Sequence, residues 1–413
     1  MRIEVDTVKG FQDYLMPLSA KRESIRKIAE ETYKLYGFVP IETPIVEYDE
    51  LMRSDVLADE SEDEAVSDRF RLKDRAGRNL GLRYEFTFQL ARIFKMYPNI
   101  KLPFKRYQIG PVFRDEPIRT GRTRQFTQCD ADIIGDSSVH ADAECIALAK
   151  DIFKKLGIKT EVHVNNRKLI DSIIASCEIS SRKQVLREID KMDKVGEDAV
   201  KLNLKKYADS TQIITLFKLL EKDLDFFVEN KFDGAEELKE LEKECKSFGF
   251  QVKIVPTLVR GFGYYTGNIF EFMTSAKYAL AAGGRYDKLI GKYSGRDVSA
   301  VGVSFSLEAI EGLCPEATDK LKITPQAKAI IVSIGQDKNV IKLAKKMREK
   351  EISCITHFDK TGKALEYANV NEIEYAIFVG EKEIQKKKYT ARNLGTGQEK
   401  SVTETQLIKL LSK

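Results

Sequence analysis

Tryptophan is absent from the 413 residues, and histidine occurs only three times, at His140, His163 and His357. Six cysteines (Cys129, Cys145, Cys177, Cys245, Cys314, Cys354) are scattered with no CxxC spacing. So thin and dispersed a set of soft ligands excludes a readable zinc cluster, and no metal site is assigned. The cysteines read as reduced thiols of a cytoplasmic protein. No apolar run approaches the ~20 residues needed to span a bilayer. The opening MRIEVDTVKGFQDY is charged and has none of the apolar character of a secretory signal.

What is present suits a folded chain of two or three domains, with 42% hydrophobic and 32% charged residues. The net charge of +5 is unevenly spread. Positions 322–413 hold 18 Lys and Arg against 11 Asp and Glu, while the remainder holds 51 against 53. A basic C-terminal segment on a near-neutral body predicts an anionic partner for that segment.

Helical spacing of Ile25, Ile28, Ala29, Thr32 and Leu35 predicts an amphipathic helix ending at Gly37. FVPIETPIVEY reads as a strand, confined by Pro44 to an edge or interface. RFRLKDRAGRNLGL (69–82) reads as a hairpin, Tyr84 to Met96 as a helix, Phe104 to Phe113 and Arg124 to Ile134 as strands, and Asp142 to Leu156 as a helix. The stretch 166–245 is helical in pattern and separates two strand-rich regions, as an inserted domain does. Ala281–Gly284 and Gly302 are expected to break strands where backbone approaches something closely. From about 322 a β-α-β-α-β order predicts a small α/β domain with a mainly parallel sheet.

The segment RYQIGPVFRDEPIRTGRTRQFTQCDADIIG (106–135) carries most of the chemistry. Arg114 and Glu116 are expected to share a strand face, and Gln128, Asp130 and Asp132 another, at period two. Arg122 and Arg124 flank the return of an Arg-rich loop. Convergent guanidiniums suit a polyphosphate, and Phe126 suits a base. Taken singly, these residues also fit an ordinary surface hairpin with ion pairs.

FRDE…GRTRQF resembles motif 2 of class II aminoacyl-tRNA synthetases, and QCDADIIG the archaeal and eukaryotic form of histidyl-tRNA synthetases. LVRGFGYYTGNIFEF is similar to the histidine-specific segment of that family, and LRYEFT to the strip that holds the amino acid's amino group. VKGFQDY, YGFVPIETPIVE, NNRKLIDSII, IDKMDKVG and AAGGRYDKLI follow in family order. GKALEYANVNEIEYAIFVGEKEI…NLGTGQEKSV resembles the family's anticodon-binding domain.

The resemblance implies an α+β fold: an antiparallel-sheet catalytic core over 1–165 and 246–317, a helical insertion over 166–245, and an α/β anticodon-binding domain over 322–413. It implies ATP-dependent activation of L-histidine and its transfer to tRNA(His), with Mg²⁺ accompanying ATP. Arg114 and Arg260 would act on the α-phosphate and the histidine carboxylate. Glu116 and Phe126 would take adenine, and Arg122 the outer phosphates. Glu85, Thr87 and Gln128 would hold the α-amino group. Asp132, Tyr264 and Tyr265 would take the imidazole. Phe38 to Glu47 would form a homodimer interface.

Individual residues keep plainer readings. One of Tyr264 and Tyr265 could be core, Glu85 a helix cap, and Gly283–Gly284 a bulge. Three positions in two segments depart from the family pattern. Ser306 and Ala309 stand where Gly and a phosphate-contacting Arg are usual, and Gly263 stands where Asp is usual. Arg296 or Arg285 are candidates to replace the missing cation. Two alternatives therefore stay open, a histidine-sensing regulatory paralogue and an RNA-binding scaffold. Histidine-dependent ATP–pyrophosphate exchange separates the enzyme from both.

Overall fold

The computed structural model describes residues 5–52, 68–259, 264–276, 278–295, 297–321 and 327–412. The chain divides into two compact units, Met1–Leu321 and Lys322–Lys413.

The first unit is built on an eight-stranded sheet, ordered β1-β5-β6-β11-β10-β9-β7-β8. The strands are β1 (Val39–Pro40), β5 (Phe104–Phe113), β6 (Gln125–Ile134), β7 (Glu161–Asn166), β8 (Lys253–Ile254), β9 (Asn268–Met273), β10 (Ala279–Arg285) and β11 (Ala300–Ser306). All pairings are antiparallel except β1 with β5 and β7 with β8. A side sheet joins β2 (Val46–Tyr48), β3 (Arg71–Lys73) and β4 (Asn79–Leu82).

The amphipathic helix spans Leu18–Leu35 and buries Ile25, Ala29, Thr32 and Tyr33. It lies with the helix Val139–Lys155 on one face of the sheet, in a core shared with Cys129, Ala131 and Ile133 of β6. Helices within 167–247 bury Leu169, Leu216 and Leu238 in that same core. A smaller cluster joins Phe88 and Leu90 of the helix Thr87–Met96 to Leu289 and Ile290 of the helix Asp287–Ser294.

Several expectations need correction. FVPIETPIVEY is two short strands, β1 and β2, because Pro44 interrupts the run; β1 does lie at the sheet edge. The helix expected from Tyr84 begins at Thr87, which leaves Glu85 in the loop before it. β5 ends at Phe113, so Arg114 and Glu116 stand in the following loop rather than on a strand face. β10 and β11 run unbroken through Ala281–Gly284 and Gly302. Close approach holds at those glycines, but pairing is kept because the missing side chains, not broken ladders, make the room.

The second unit carries a five-stranded sheet, order β13-β12-β14-β15-β16: β12 (Ala329–Ser333), β13 (Cys354–His357), β14 (Tyr375–Val379), β15 (Tyr389–Asn393) and β16 (Glu399–Val402). The first three are mutually parallel; the last two return antiparallel, so the sheet is mixed. Apolar clusters cover both faces.

Candidate active site

Side chains on β6 alternate across the sheet. Cys129, Ala131 and Ile133 enter the helix-covered core. Gln128, Asp130 and Asp132 line a cavity of about 220 Å³ on the other face. Glu85, Thr87, Arg114, Glu116, Arg122, Phe126, Tyr264 and Tyr265 line the same cavity. Every site residue expected from the sequence is thus brought together, except Arg260, which lies outside the described residues, as do Gly263 and Arg296.

Three strands meet at Asp132. Register places Arg106 of β5 opposite it on one side and Gly302 of β11 on the other. The Arg106 Nη2 is 2.6 Å from Asp132 Oδ2. The Tyr286 hydroxyl donates to Oδ1. Burial pushes the Asp132 carboxyl up, and Arg106 and the Tyr286 hydrogen bond oppose the push.

Two further carboxylates are buried nearby. Burial raises Asp130 to about 7 against the pull of Arg106, and Gln128 Nε2 donates to its Oδ2 at 3.0 Å. Burial first, then the charge of Asp130, pushes Glu85 up to about 7, while Arg114 pulls it down. The Tyr264 hydroxyl donates to Glu85 Oε2 at 3.2 Å. Glu85 Oε1, Gln128 Oε1 and Asp130 Oδ1 are buried with no hydrogen-bond partner. Buried acceptors are normally paired. Unpaired acceptors on one cavity wall suit a ligand rich in N–H donors, such as an ammonium group.

The opposite character prevails at the rim. The Arg114 guanidinium lies 4.3 Å from the Tyr84 ring centroid and 5.0 Å from that of Phe126. Its Nε donates to the Tyr84 carbonyl at 3.3 Å. The Tyr84 hydroxyl donates to Glu116 Oε1 at 3.2 Å, and Arg122 Nη1 stands 3.9 Å from Glu116 Oε2. Arg119 and Arg122 close the loop between β5 and β6 by exchanging backbone hydrogen bonds. Aromatic faces, a carboxylate and guanidiniums side by side suit a nucleotide with its phosphates.

The plainer readings separate here. Tyr264 and Tyr265 both line the cavity, with ring centroids 4.8 Å apart, so neither is core alone. Glu85 is not the cap of its helix; Phe86 holds that position without a side-chain bond. The register shift in β10 falls at Ala279/Ala281, not at Gly283–Gly284. Ser306 caps the helix Leu307–Leu313 by accepting from the Ala309 amide at 3.1 Å. Ala309 lines the cavity. Arg285 does not replace the absent cation. It is bound to Asp142 at 2.6 Å and to the Asp136 and Ser138 carbonyls, away from the cavity lining.

Sequence reasoning gave no role to Arg106, Tyr84 or Tyr286, and only a face to Asp130. A fully charged residue inside the apolar run FKRYQIGPVF was the available signal for Arg106. Tyr84 and Tyr286 offered none, because their partners are distant in sequence.

Residues 10–310 match the family described as histidyl-tRNA synthetase, and residues 328–413 match the anticodon binding domain. The chain belongs to the histidyl-tRNA synthetase family. Among its relatives, Histidine--tRNA ligase 1 of Bacillus anthracis is 34% identical over 99% of this chain and 100% of the relative. The corresponding Bacillus cereus protein is 33% identical over 98% of this chain and 97% of its own. Histidyl-tRNA synthetase from Nostoc sp. PCC 7120 superimposes with a TM-score of 0.85 at 25% identity, covering 100% of this chain and 99% of that one. An ATP phosphoribosyltransferase regulatory subunit/histidyl-tRNA synthetase from Bacillus halodurans C shares the fold, with a TM-score of 0.75 at 21% identity over 92% and 99%. Like other members of its family, this synthetase uses ATP as a substrate. No helix among its described residues is long and apolar enough to cross a membrane.

Proposed function

We propose that this chain is a histidine--tRNA ligase: it forms histidyl-adenylate from L-histidine and ATP, then transfers histidine to tRNA(His) in the cytoplasm. The reading is carried by one observation. Unpaired buried acceptors (Glu85, Gln128, Asp130) and an aromatic–guanidinium rim (Arg114, Glu116, Arg122, Phe126) share a single cavity.

In this reading the α-amino group of histidine enters against Glu85, Thr87 and Gln128, whose acceptors match its three N–H donors. The imidazole reaches toward Asp132, Tyr264 and Tyr265. Asp132 already accepts from Tyr286 and faces Arg106, yet a carboxylate has roughly four lone-pair sites, so it can still accept an imidazole N–H. Adenine lies on Phe126 with its amino group at Glu116, and Arg122 meets the outer phosphates.

The substrate carboxylate is itself the nucleophile, so no general base is required. Attack on the α-phosphate spreads negative charge over its equatorial oxygens. Arg114, held by the Tyr84 carbonyl and two rings, is aimed where that charge grows. Arg260 is assigned to the same oxygens. ATP enters as its Mg²⁺ complex, so the ion belongs to the substrate.

The domain assignment follows the same reading: catalytic core over 1–165 and 246–317, helical insertion over 166–245 toward the acceptor arm, and anticodon recognition over 322–413. A homodimer forms through the 38–47 stretch. Supporting this, β1 is an edge strand, and Val39, Ile45, Val46 and Tyr48 expose apolar side chains. Phe38 and Glu47 are buried within the protomer and are not part of that surface.

Exchange of labelled pyrophosphate into ATP tests the reading with each of the twenty amino acids. Signal with histidine alone, abolished by Arg114→Ala, is expected. Exchange with no amino acid, or with another one, would overturn it.

A further inference from the structure

We infer that Arg106 is a positioning residue for histidine specificity: its buried guanidinium holds the Asp132 carboxylate charged and fixed in direction, so that an imidazole N–H meets a preset acceptor. This rests on reading the cavity as the histidine site.

Arg106 is 0% exposed, the largest fully buried side chain among the described residues. It is not among the residues that line the cavity, so it acts from behind the wall. A buried guanidinium costs several kcal/mol in desolvation unless a charge faces it. An apolar residue at position 106 would fill β5 without that cost, so stability alone does not account for it. The partner is Asp132, directly across the β5–β6 ladder at 2.6 Å. None of the three guanidinium nitrogens of Arg106 makes a hydrogen bond, and neither does Asp132 Oδ2; the contact between Nη2 and Oδ2 is an ion pair. The guanidinium therefore serves mainly as a charge placed beside one carboxylate oxygen.

That charge matters because Asp130 stands two residues along β6 on the same face, and Glu85 also borders the cavity. Like charges crowded in a dry site force one group to take a proton. A protonated Asp132 would offer an O–H where the imidazole needs an acceptor, and its direction would be free. Arg106 on Oδ2 and Tyr286 on Oδ1 prevent both. Such a pocket rejects an isostere lacking the ring N–H, because the fixed acceptor would then be left unpaired.

The test uses the full-length enzyme in pyrophosphate exchange, with Arg106→Gln, Arg106→Lys, Asp132→Asn and the Arg106→Gln/Asp132→Asn pair. Arg106→Gln is expected to raise the KM for L-histidine at least about tenfold, with the KM for ATP within about twofold. Arg106→Lys restores part of the loss. In the pair, Arg106→Gln adds nothing to the defect of Asp132→Asn, since it works only through that carboxylate. The inference is overturned if the histidine KM of Arg106→Gln is unchanged, or if both KM values rise together. It is overturned equally if the paired defect is the product of the single ones. Should Arg106→Gln alone fail to fold, Arg106→Lys, which keeps a positive charge opposite Asp132 but displaces it, decides the matter: its KM for L-histidine must rise while its KM for ATP stays within about twofold, and an unchanged histidine KM overturns the inference. Loss of histidine-dependent exchange in the unaltered enzyme would be a separate failure, of the proposed function itself.

Discussion

Gly302 leaves the space that the Asp132 carboxylate occupies: a Cβ at 302 would lie 2.0 Å from Asp132 Oδ1. The absent side chain of β11 therefore sets the room in which the Asp132 carboxylate of β6 sits. Gly302→Ala must push Asp132 off Arg106 or Tyr286, and overpacking of this kind costs about 1–3 kcal/mol. The KM for histidine should rise by an order of magnitude, measured by pyrophosphate exchange, while the KM for ATP changes little. Equal damage to both substrates would show that the strand, not the carboxylate, had moved.

The buried carboxylates make stability depend on pH. Glu85 and Asp130 are each raised to about 7 in the folded chain, mainly by burial. Between about pH 4 and pH 7 the folded state therefore binds more protons at these groups than the unfolded state does. Their stabilising contribution is fully present below the unfolded values and is lost as pH rises through the folded ones. Thermal unfolding of the ligand-free enzyme should show a Tm that declines from pH 5 to pH 8. Asp130→Asn should flatten that decline, because the amide cannot ionise. An unchanged slope in the variant would place the linkage elsewhere.

Arg22 of the Leu18–Leu35 helix reaches two carboxylates of the helix Leu307–Leu313, Glu308 and Glu311, each at 2.7 Å. Glu308 also accepts from the Thr127 amide at 2.9 Å and from the Tyr14 hydroxyl at 3.2 Å. Burial and Glu308 push the Tyr14 phenol up to about 12, so it remains a donor. Arg22→Met would leave Glu308 and Glu311 without the counter-charge of Arg22 and should cost about 3–5 kcal/mol in urea unfolding. Adding Glu308→Met should cost less than the sum of the single changes. Because Thr127 lies between Phe126 and Gln128, a weaker kcat/KM for both substrates should accompany the loss.

How much of this was legible beforehand follows from the range of each interaction. The alternation on β6 is local, so Gln128 and Asp132 could be placed on one face from spacing alone. The helix around Ile25 was legible from the helical spacing of Ile25, Ile28, Ala29, Thr32 and Leu35. The end of β5 at Phe113 was not placed from the sequence, because the period-two spacing of Arg114 and Glu116 fits a continuing strand as well as a loop. The pairing of Arg106 with Asp132 needs the register of the β5–β6 ladder, which the intervening loop does not dictate. Tyr264 meets Glu85 across 179 positions, and Tyr286 meets Asp132 across 154. Only the assembled fold brings such pairs together. The capping role of Ser306 is local, but the glycine usual at that position drew attention to what was missing.

The two compact units predict different responses to salt. The proposed histidine and ATP site lies within Met1–Leu321, whereas positions 322–413 carry 18 Lys and Arg against 11 Asp and Glu. Binding of a polyanion by such a segment releases counterions, and affinity then falls steeply with ionic strength. Aminoacylation should show a KM for tRNA that climbs roughly tenfold or more between 50 and 200 mM salt. Pyrophosphate exchange, which needs no tRNA, should change far less across the same range. Replacing Lys386, Lys387 and Lys388 together by Gln should lower the slope of log KM against log salt by up to about 2, given about 0.7 per single-strand phosphate contact. A slope untouched by that replacement would move the phosphate contacts to other lysines of the unit, and equal salt sensitivity of both reactions would remove the division of labour altogether.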